Sequence, residues 1–313
     1  APPSIGIRRA VRPPLVAALR ADLEKPILFI TDRADRVNKF LDELQFWASE
    51  QPHFLFAEPT TLFYEPGAWG ALTRRSRIQC LSALCTYHLP SLPKLPKAPL
   101  IVTSLRALMT RTLPRRDFLL SCKLLKIGQS IQPEALQRDW VDIGYQTADI
   151  VLEPGQFSRR GGILDIWSPP DPFPARFEFF GNEIETIRQF DPATQRRVRN
   201  LEQVMITPAR EILPGKAAAT LLPGQAEDEF YLPLVHAMPA TLLDYLPRGS
   251  IIIIDNLDHC QTSASEIEEQ AVSMRRDSVE EGIIPETFPI PYISWSELQD
   301  TISQHIWFEL GQS

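Results

Sequence analysis

The spacing of apolar positions divides the chain into three stretches. In the first, Pro26-Ile27-Leu28-Phe29-Ile30 is a continuous apolar run, the pattern of a strand covered on both faces. Thr31 and Asp32 follow as capping residues. Val37, Phe40, Leu41, Leu44 and Trp47 then recur at helical spacing. Leu100-Ile101-Val102-Thr103 repeats the unit, with Ser104 as cap and a short helix predicted from Leu105 to Arg111. Strands alternating with helices predict a parallel sheet with crossover connections.

The middle stretch, after about Asp117, opens with one short helix that has Pro133 early and Gly144 just past its end. From Ile150 the pattern becomes strands and turns. Apolar and polar residues alternate through Phe177-Glu178-Phe179 and Glu183-Ile184-Glu185, with Gly181-Asn182 between them as a tight turn. Asp191-Pro192-Ala193-Thr194 marks a second turn. The prediction is an antiparallel meander with one face on a core.

The last stretch returns to the first pattern. Gly249-Ser250 leads into Ile251-Ile252-Ile253-Ile254-Asp255, a buried strand ending in a carboxylate, and a long polar helix is predicted from Ser263 to Glu281. The fold class is therefore α/β: a P-loop-NTPase-like parallel-sheet lobe split in sequence, residues 1–118 and 210–313, around an inserted α+β domain, 119–209, that contains an antiparallel sheet.

Composition narrows the function. The 313 residues are 44% hydrophobic and 23% charged, with a net charge of -7. Domains that hold nucleic acid through phosphate contacts are usually basic, so autonomous DNA or RNA binding is not expected. Cys80, Cys85, Cys122 and Cys260 form no C-x-x-C pair and the five histidines do not cluster beside them, so no metal is expected. Reduced thiols fit a cytoplasmic protein. There is no signal peptide and no apolar run of ~18 residues, so no membrane partner is expected. The 29 prolines gather in Pro90 to Pro99, Pro169 to Pro174 and Pro285 to Pro291, as stiff joints between short elements. The opening Ala1 suits a fragment of a longer chain.

Catalytic motifs are missing. Neither G-x-S-x-G nor H-E-x-x-H occurs, and the histidines are scattered. An apolar strand ending in Asp255 often holds the metal of an ATPase, but that needs a phosphate loop of glycines, a Lys and a hydroxyl. The corresponding place reads Gly6-Ile7-Arg8-Arg9-Ala10-Val11-Arg12-Pro13. Only Gly6 remains, Arg12 stands for the Lys, and Pro13 stands for the hydroxyl. Asn256, not Glu, follows Asp255. Gly6, Arg12, Pro13 and Asp255 are thus expected to form a degenerate, inactive nucleotide site.

The most distinctive stretch is Ser158-Arg159-Arg160-Gly161-Gly162-Ile163-Leu164-Asp165-Ile166, followed by Ala175-Arg176-Phe177-Glu178-Phe179-Phe180. A period of two puts Phe177 and Phe179 on one face and Arg176, Glu178 and Phe180 on the other. If the first face meets the core, Phe180 projects from the polar face, about 13 Å along the strand from Arg176 at ~3.3 Å per residue. The alternative buries Phe180 under the Gly181 turn or a neighbouring domain. An exposed Phe beside Arg suits a protein-binding hot spot. Seven arginines (159, 160, 176, 188, 196, 197, 199) and six acids (165, 171, 178, 183, 185, 191) lie between Phe157 and Arg199. Interspersed signs suit a protein surface better than a phosphate track.

These segments, with Glu183-Ile184-Glu185-Thr186-Ile187-Arg188 and Phe190-Asp191-Pro192-Ala193-Thr194-Gln195-Arg196, resemble a module shared by the excision-repair protein UvrB and the Mfd family of transcription-repair coupling factors. The likeness is specific here and weaker over the rest of the chain. UvrB keeps an intact P-loop and inserts a long hairpin after a Tyr-x-Pro-like stretch. Here Tyr64-Glu65-Pro66 is followed only by Gly67 to Leu72 before the Arg74-Arg75 helix, so the resemblance favours the N-terminal UvrB-homology module of the Mfd family. It implies a non-catalytic inserted domain that binds UvrA and helps bring nucleotide excision repair to stalled RNA polymerase. It implies Arg160, Arg176 and Phe180 as the UvrA contacts. It also implies that RNA polymerase, DNA, ATP and Mg²⁺ act through other domains of that family's chain, leaving this module without a cofactor. The competing expectations are a DNA-dependent ATPase and a UvrB-like damaged-DNA binder.

Overall fold

The computed structural model describes residues 3–48, 53–89, 95–222 and 228–311. Pro90 and Pro93, in the first proline group, lie outside them. The chain divides into two compact units, residues 1–114 with 237–313, and residues 115–236. The sequence boundaries at 118 and 209 compare with 114 and 236 here.

In chain order the first unit opens with β1 (Ser4–Gly6), α1 (Arg12–Leu23), β2 (Ile27–Thr31), α2 (Ala34–Ala48), β3 (His53–Phe56), α3 (Ala71–Cys85), β4 (Leu100–Ser104) and α4 (Leu105–Met109). The second unit contains α5 (Arg115–Ser121), β5 (Lys123–Lys126), α6 (Pro133–Asp142), β6 (Gln146–Thr147), β7 (Gln156–Arg160) and β8 (Ile163–Ile166). It continues through β9 (Ala175–Phe180), β10 (Glu183–Phe190), β11 (Arg197–Leu201), β12 (Gln203–Ile206), α7 (Pro214–Thr220) and α8 (Leu232–Val235). The first unit then resumes with β13 (Ile251–Ile254), α9 (Leu257–Glu280), α10 (Trp295–Ile302) and β14 (Ile306–Gly311).

The first unit is built on a parallel sheet in the order β1-β14-β13-β2-β4-β3. Every residue of β2, β4 and β13 is buried, as the unbroken apolar runs require when helices cover a sheet. Val16, Val37, Phe40 and Leu44 pack on Phe29, Val102 and Ile253, and the Phe29 and Phe40 rings stack at 3.9 Å. Ser104 accepts a hydrogen bond from the Ala107 amide and caps α4, as the sequence indicated. Three details differ from the sequence pattern. Trp47 is 63% exposed, so the apolar stripe of α2 closes on Ala48 instead. Helix α4 stops at Met109 rather than Arg111. Helix α9 starts at Leu257, because Asn256 takes a left-handed conformation (φ 69°) and its side chain accepts from the His259 amide.

The second unit carries a six-stranded sheet in the order β11-β10-β9-β8-β7-β6, antiparallel except for the β6–β7 pair, and a separate antiparallel β5–β12 pair. One face packs on α6. Leu136 and Trp140 meet Phe157, Leu164, Ile166, Phe177 and Ile187, and Trp140 lies edge-on to Phe157 at 5.6 Å. The β7–β8 and β9–β10 turns each hold a glycine at φ 61°, Gly161 and Gly181, a conformation that costs glycine nothing.

Candidate docking surface

The face of the second sheet turned away from its core is set by register. Antiparallel pairing aligns Ser158, Asp165, Arg176 and Arg188 in one row across β7 to β10, and Arg160, Ile163, Glu178 and Thr186 in the next. Phe180 ends β9 opposite Glu183. The Phe177 side of β9 is buried, so its neighbours turn outward. Phe180 is 80% exposed. The alternative in which it is covered by the Gly181 turn does not hold within this unit.

Arg176 and Arg188 are directly opposed, an arrangement that is destabilising for like charges. Each is drawn to a carboxylate. Arg176 makes two hydrogen bonds to Asp165, Nε to Oδ1 at 2.6 Å and a terminal nitrogen to Oδ2 at 2.7 Å. It also donates to Gln195 Oε1 at 2.9 Å and lies 4.3 Å over the Phe190 ring. These hydrogen bonds to Asp165 outweigh burial and raise the Arg176 pKa. Arg188 pairs with Glu178 at 2.6 Å, and Thr186 donates to the other Glu178 oxygen at 2.9 Å. Arg160 reaches Asp165 Oδ2 at 3.2 Å with its side chain half exposed.

The three residues that sequence singled out therefore share one face but differ in character. Phe180 is a bare apolar side chain. Arg160 is an accessible cation. The Arg176 side chain is only 11% exposed and is neutralised by a carboxylate that is 2% exposed. Sequence reasoning overlooked that carboxylate, Asp165, and the Arg188–Glu178 pair. Asp165 left a signal: it is the one acid inside the apolar run from Ile163 to Trp167.

In the first unit the residues of the expected nucleotide site lie at the end of β1, the start of α1 and just past β13. Gly6 closes β1 and pairs in register with Gly311. Arg12 begins α1, is 2% exposed, forms an ion pair with Asp255, and donates to the carbonyls of Gly311 at 2.9 Å and Ile7 at 3.2 Å. Burial, and then the nearby cations Arg9 and Arg36, lower its pKa. Arg12, Pro13 and Asp255 border a 310 Å³ cleft with Arg9, Arg36, Lys39 and Glu43. Arg36 is occupied by Asp32 at 2.7 Å. Among the described residues no group of three or more His, Cys, Asp or Glu side chains is arranged to hold a metal, and no helix is long and apolar enough to cross a membrane.

Comparison with known proteins bears on both units. Residues 124–212 match the UvrB interaction domain family. The chain is 25% identical to the transcription-repair-coupling factor of Bacillus subtilis over 89% of its own length and 26% of that protein's. It is 31% identical to the factor of Myxococcus xanthus over 66% of its length, and 27% identical to that of Escherichia coli over 69%. It spans about a quarter or less of these relatives, 26%, 17% and 18% of their lengths respectively.

Proposed function

From a UvrB interaction domain carried in a chain similar to transcription-repair-coupling factors, we propose that this protein is a UvrA-docking module of such a factor. The observation that carries the reading is Phe180, an 80% exposed aromatic next to the tip of a hairpin, on the same face as the accessible Arg160. A rigid aromatic and an arginine are the residue types that dominate protein interfaces. Arg176 and Arg188 are paired with carboxylates within the face, so association need not strip water from unpaired arginines there. Within the parent protein the docking would recruit nucleotide excision repair to stalled RNA polymerase in the cytoplasm. RNA polymerase, DNA, ATP and Mg²⁺ belong in this reading to regions of the parent beyond this chain.

The module acts without nucleotide. Supporting this, Arg12 stands where the sequence expects a P-loop lysine and is ion-paired with Asp255, and Asn256 is engaged in capping α9. Mg-ATP titration by calorimetry is expected to give no heat of binding. Saturable binding would instead favour the ATPase reading.

Docking is tested by measuring UvrA affinity for the whole chain. Phe180→Ala and Arg160→Ala are each expected to weaken binding at least tenfold, about 1.4 kcal/mol or more, with the melting temperature unchanged. Unaltered affinity in the double variant would sink the proposal.

A further inference from the structure

We infer that Asp165 is the positioning residue of the docking face, holding both of its arginines in their binding orientation. The inference rests on the UvrA-docking reading and goes beyond it by naming a residue that does not itself reach the partner.

The geometry is asymmetric. Asp165 lies in β8, the strand between those that carry Arg160 and Arg176. It is 2% exposed, so a docked protein does not meet its oxygens. Both of those oxygens are used. Oδ1 takes Arg176 Nε at 2.6 Å, and Oδ2 takes a nitrogen of each arginine, Arg176 at 2.7 Å and Arg160 at 3.2 Å. The two-point bond with Arg176 fixes the carboxylate plane, since a planar fork meets a carboxylate in one arrangement. Gln195 and the Phe190 ring hold that guanidinium from its other sides. The fixed carboxylate then restrains Arg160.

Arginine has a long side chain with much rotamer freedom to lose on ordering. A restrained Arg160 has surrendered part of it before docking, so less is lost on association. The face therefore divides its work. Phe180 and Arg160 touch the partner, Arg176 supports from within, and Asp165 links the two arginines. Partner recognition at Arg160 follows from this. Its accessible donors suit a carboxylate or carbonyl oxygens on UvrA, flanked by an apolar pocket for Phe180.

The test isolates the Asp165-to-Arg160 link. Deleting the whole Asp165 side chain strands the Arg176 charge and threatens the fold, so the background keeps Arg176 in place and the change is Asp165→Asn, which retains one oxygen to accept from it. In that background Asp165→Asn is expected to weaken UvrA binding at least fivefold when Arg160 is present. When Arg160 is already Ala, the change is expected to be under twofold. Melting curves run beside each measurement. A purely structural Asp165 would give the same loss with and without Arg160, and that equality, or no loss in either case, overturns the inference. Asp165→Glu in the otherwise native chain is a second arm. It keeps the charge but moves the carboxylate by one methylene, and is expected to lose affinity while melting as a folded protein. Native affinity there would also overturn it. Failure of the unaltered chain to bind UvrA would refute the docking reading itself, and so separates the two.

Discussion

Arg176 and Arg188 face each other across two strands, and each survives there only because a carboxylate on a neighbouring position takes it. Arg160, Arg176 and Phe180 could be placed on one face from a period of two alone. Which of them is buried against a carboxylate could not, because that depends on the register of β8 against β9, and register is a tertiary property. The same holds for Arg12. Sequence marked it as the wrong residue for a phosphate loop, but only the folded chain brings it to Asp255. Asp255→Ala is expected to cost about 3 kcal/mol in denaturant melts, because it leaves a buried guanidinium unpaired. Asp171 gives a pH signature. Burial pushes its carboxyl up to about 6 against the pull of Arg199. The folded chain thus binds a proton more tightly than the unfolded one. The stability this confers is present below about pH 4 and lost as pH rises through 6. Asp171→Asn is therefore expected to stabilise the protein by about 2 kcal/mol at pH 8 and by nothing near pH 4. Equal shifts at both pH values would contradict this.

Among the elements, buried strands and hairpin turns were legible because each has a local cause. Four consecutive isoleucines have nowhere to go but a covered strand, and Gly181 can take φ 61° where other residues strain. Nothing lies within 4 Å of where a Cβ at Gly181 would stand, so Gly181→Ala tests the backbone alone. It is expected to cost about 1 kcal/mol by urea titration. Helix ends were less legible. The start of α9 depends on Asn256 adopting a left-handed cap that composition does not announce. Trp47 followed the helical period of α2 yet faces solvent, because a period fixes which residues share a stripe but not where the covered stripe stops.

For the whole molecule, the split of the α/β lobe was visible as a return of the first stretch's pattern after a strand-rich interlude. Its edges were not sharp, because residues 210–236 have neither the alternation of the meander nor a buried run. They cluster with the second unit, where Arg210 pairs with the buried Glu229 at 2.8 Å and His236 hydrogen-bonds Asp117 at 3.1 Å. Residues 115–236 possess their own core and are expected to melt cooperatively when produced alone. Residues 1–114 alone are not, because β2 would lose β13 along one edge. Circular dichroism melts of the two fragments check both outcomes.

The strand order has a further consequence on the ribosome. Chain elongation delivers β2 early, yet the neighbour it needs on one side, paired Ile27 to Ile251, emerges only after the whole inserted unit has been made. Local contacts close faster than distant ones, and nascent domains fold as units while synthesis continues. The unit of residues 115–236 is thus complete while the lobe that encloses it in sequence still has an open hydrophobic sheet edge awaiting its last strands. A nascent chain stalled between His236 and Ile251 would present a finished inserted unit on an unfinished scaffold, which makes that interval an aggregation-prone moment in the protein's biogenesis.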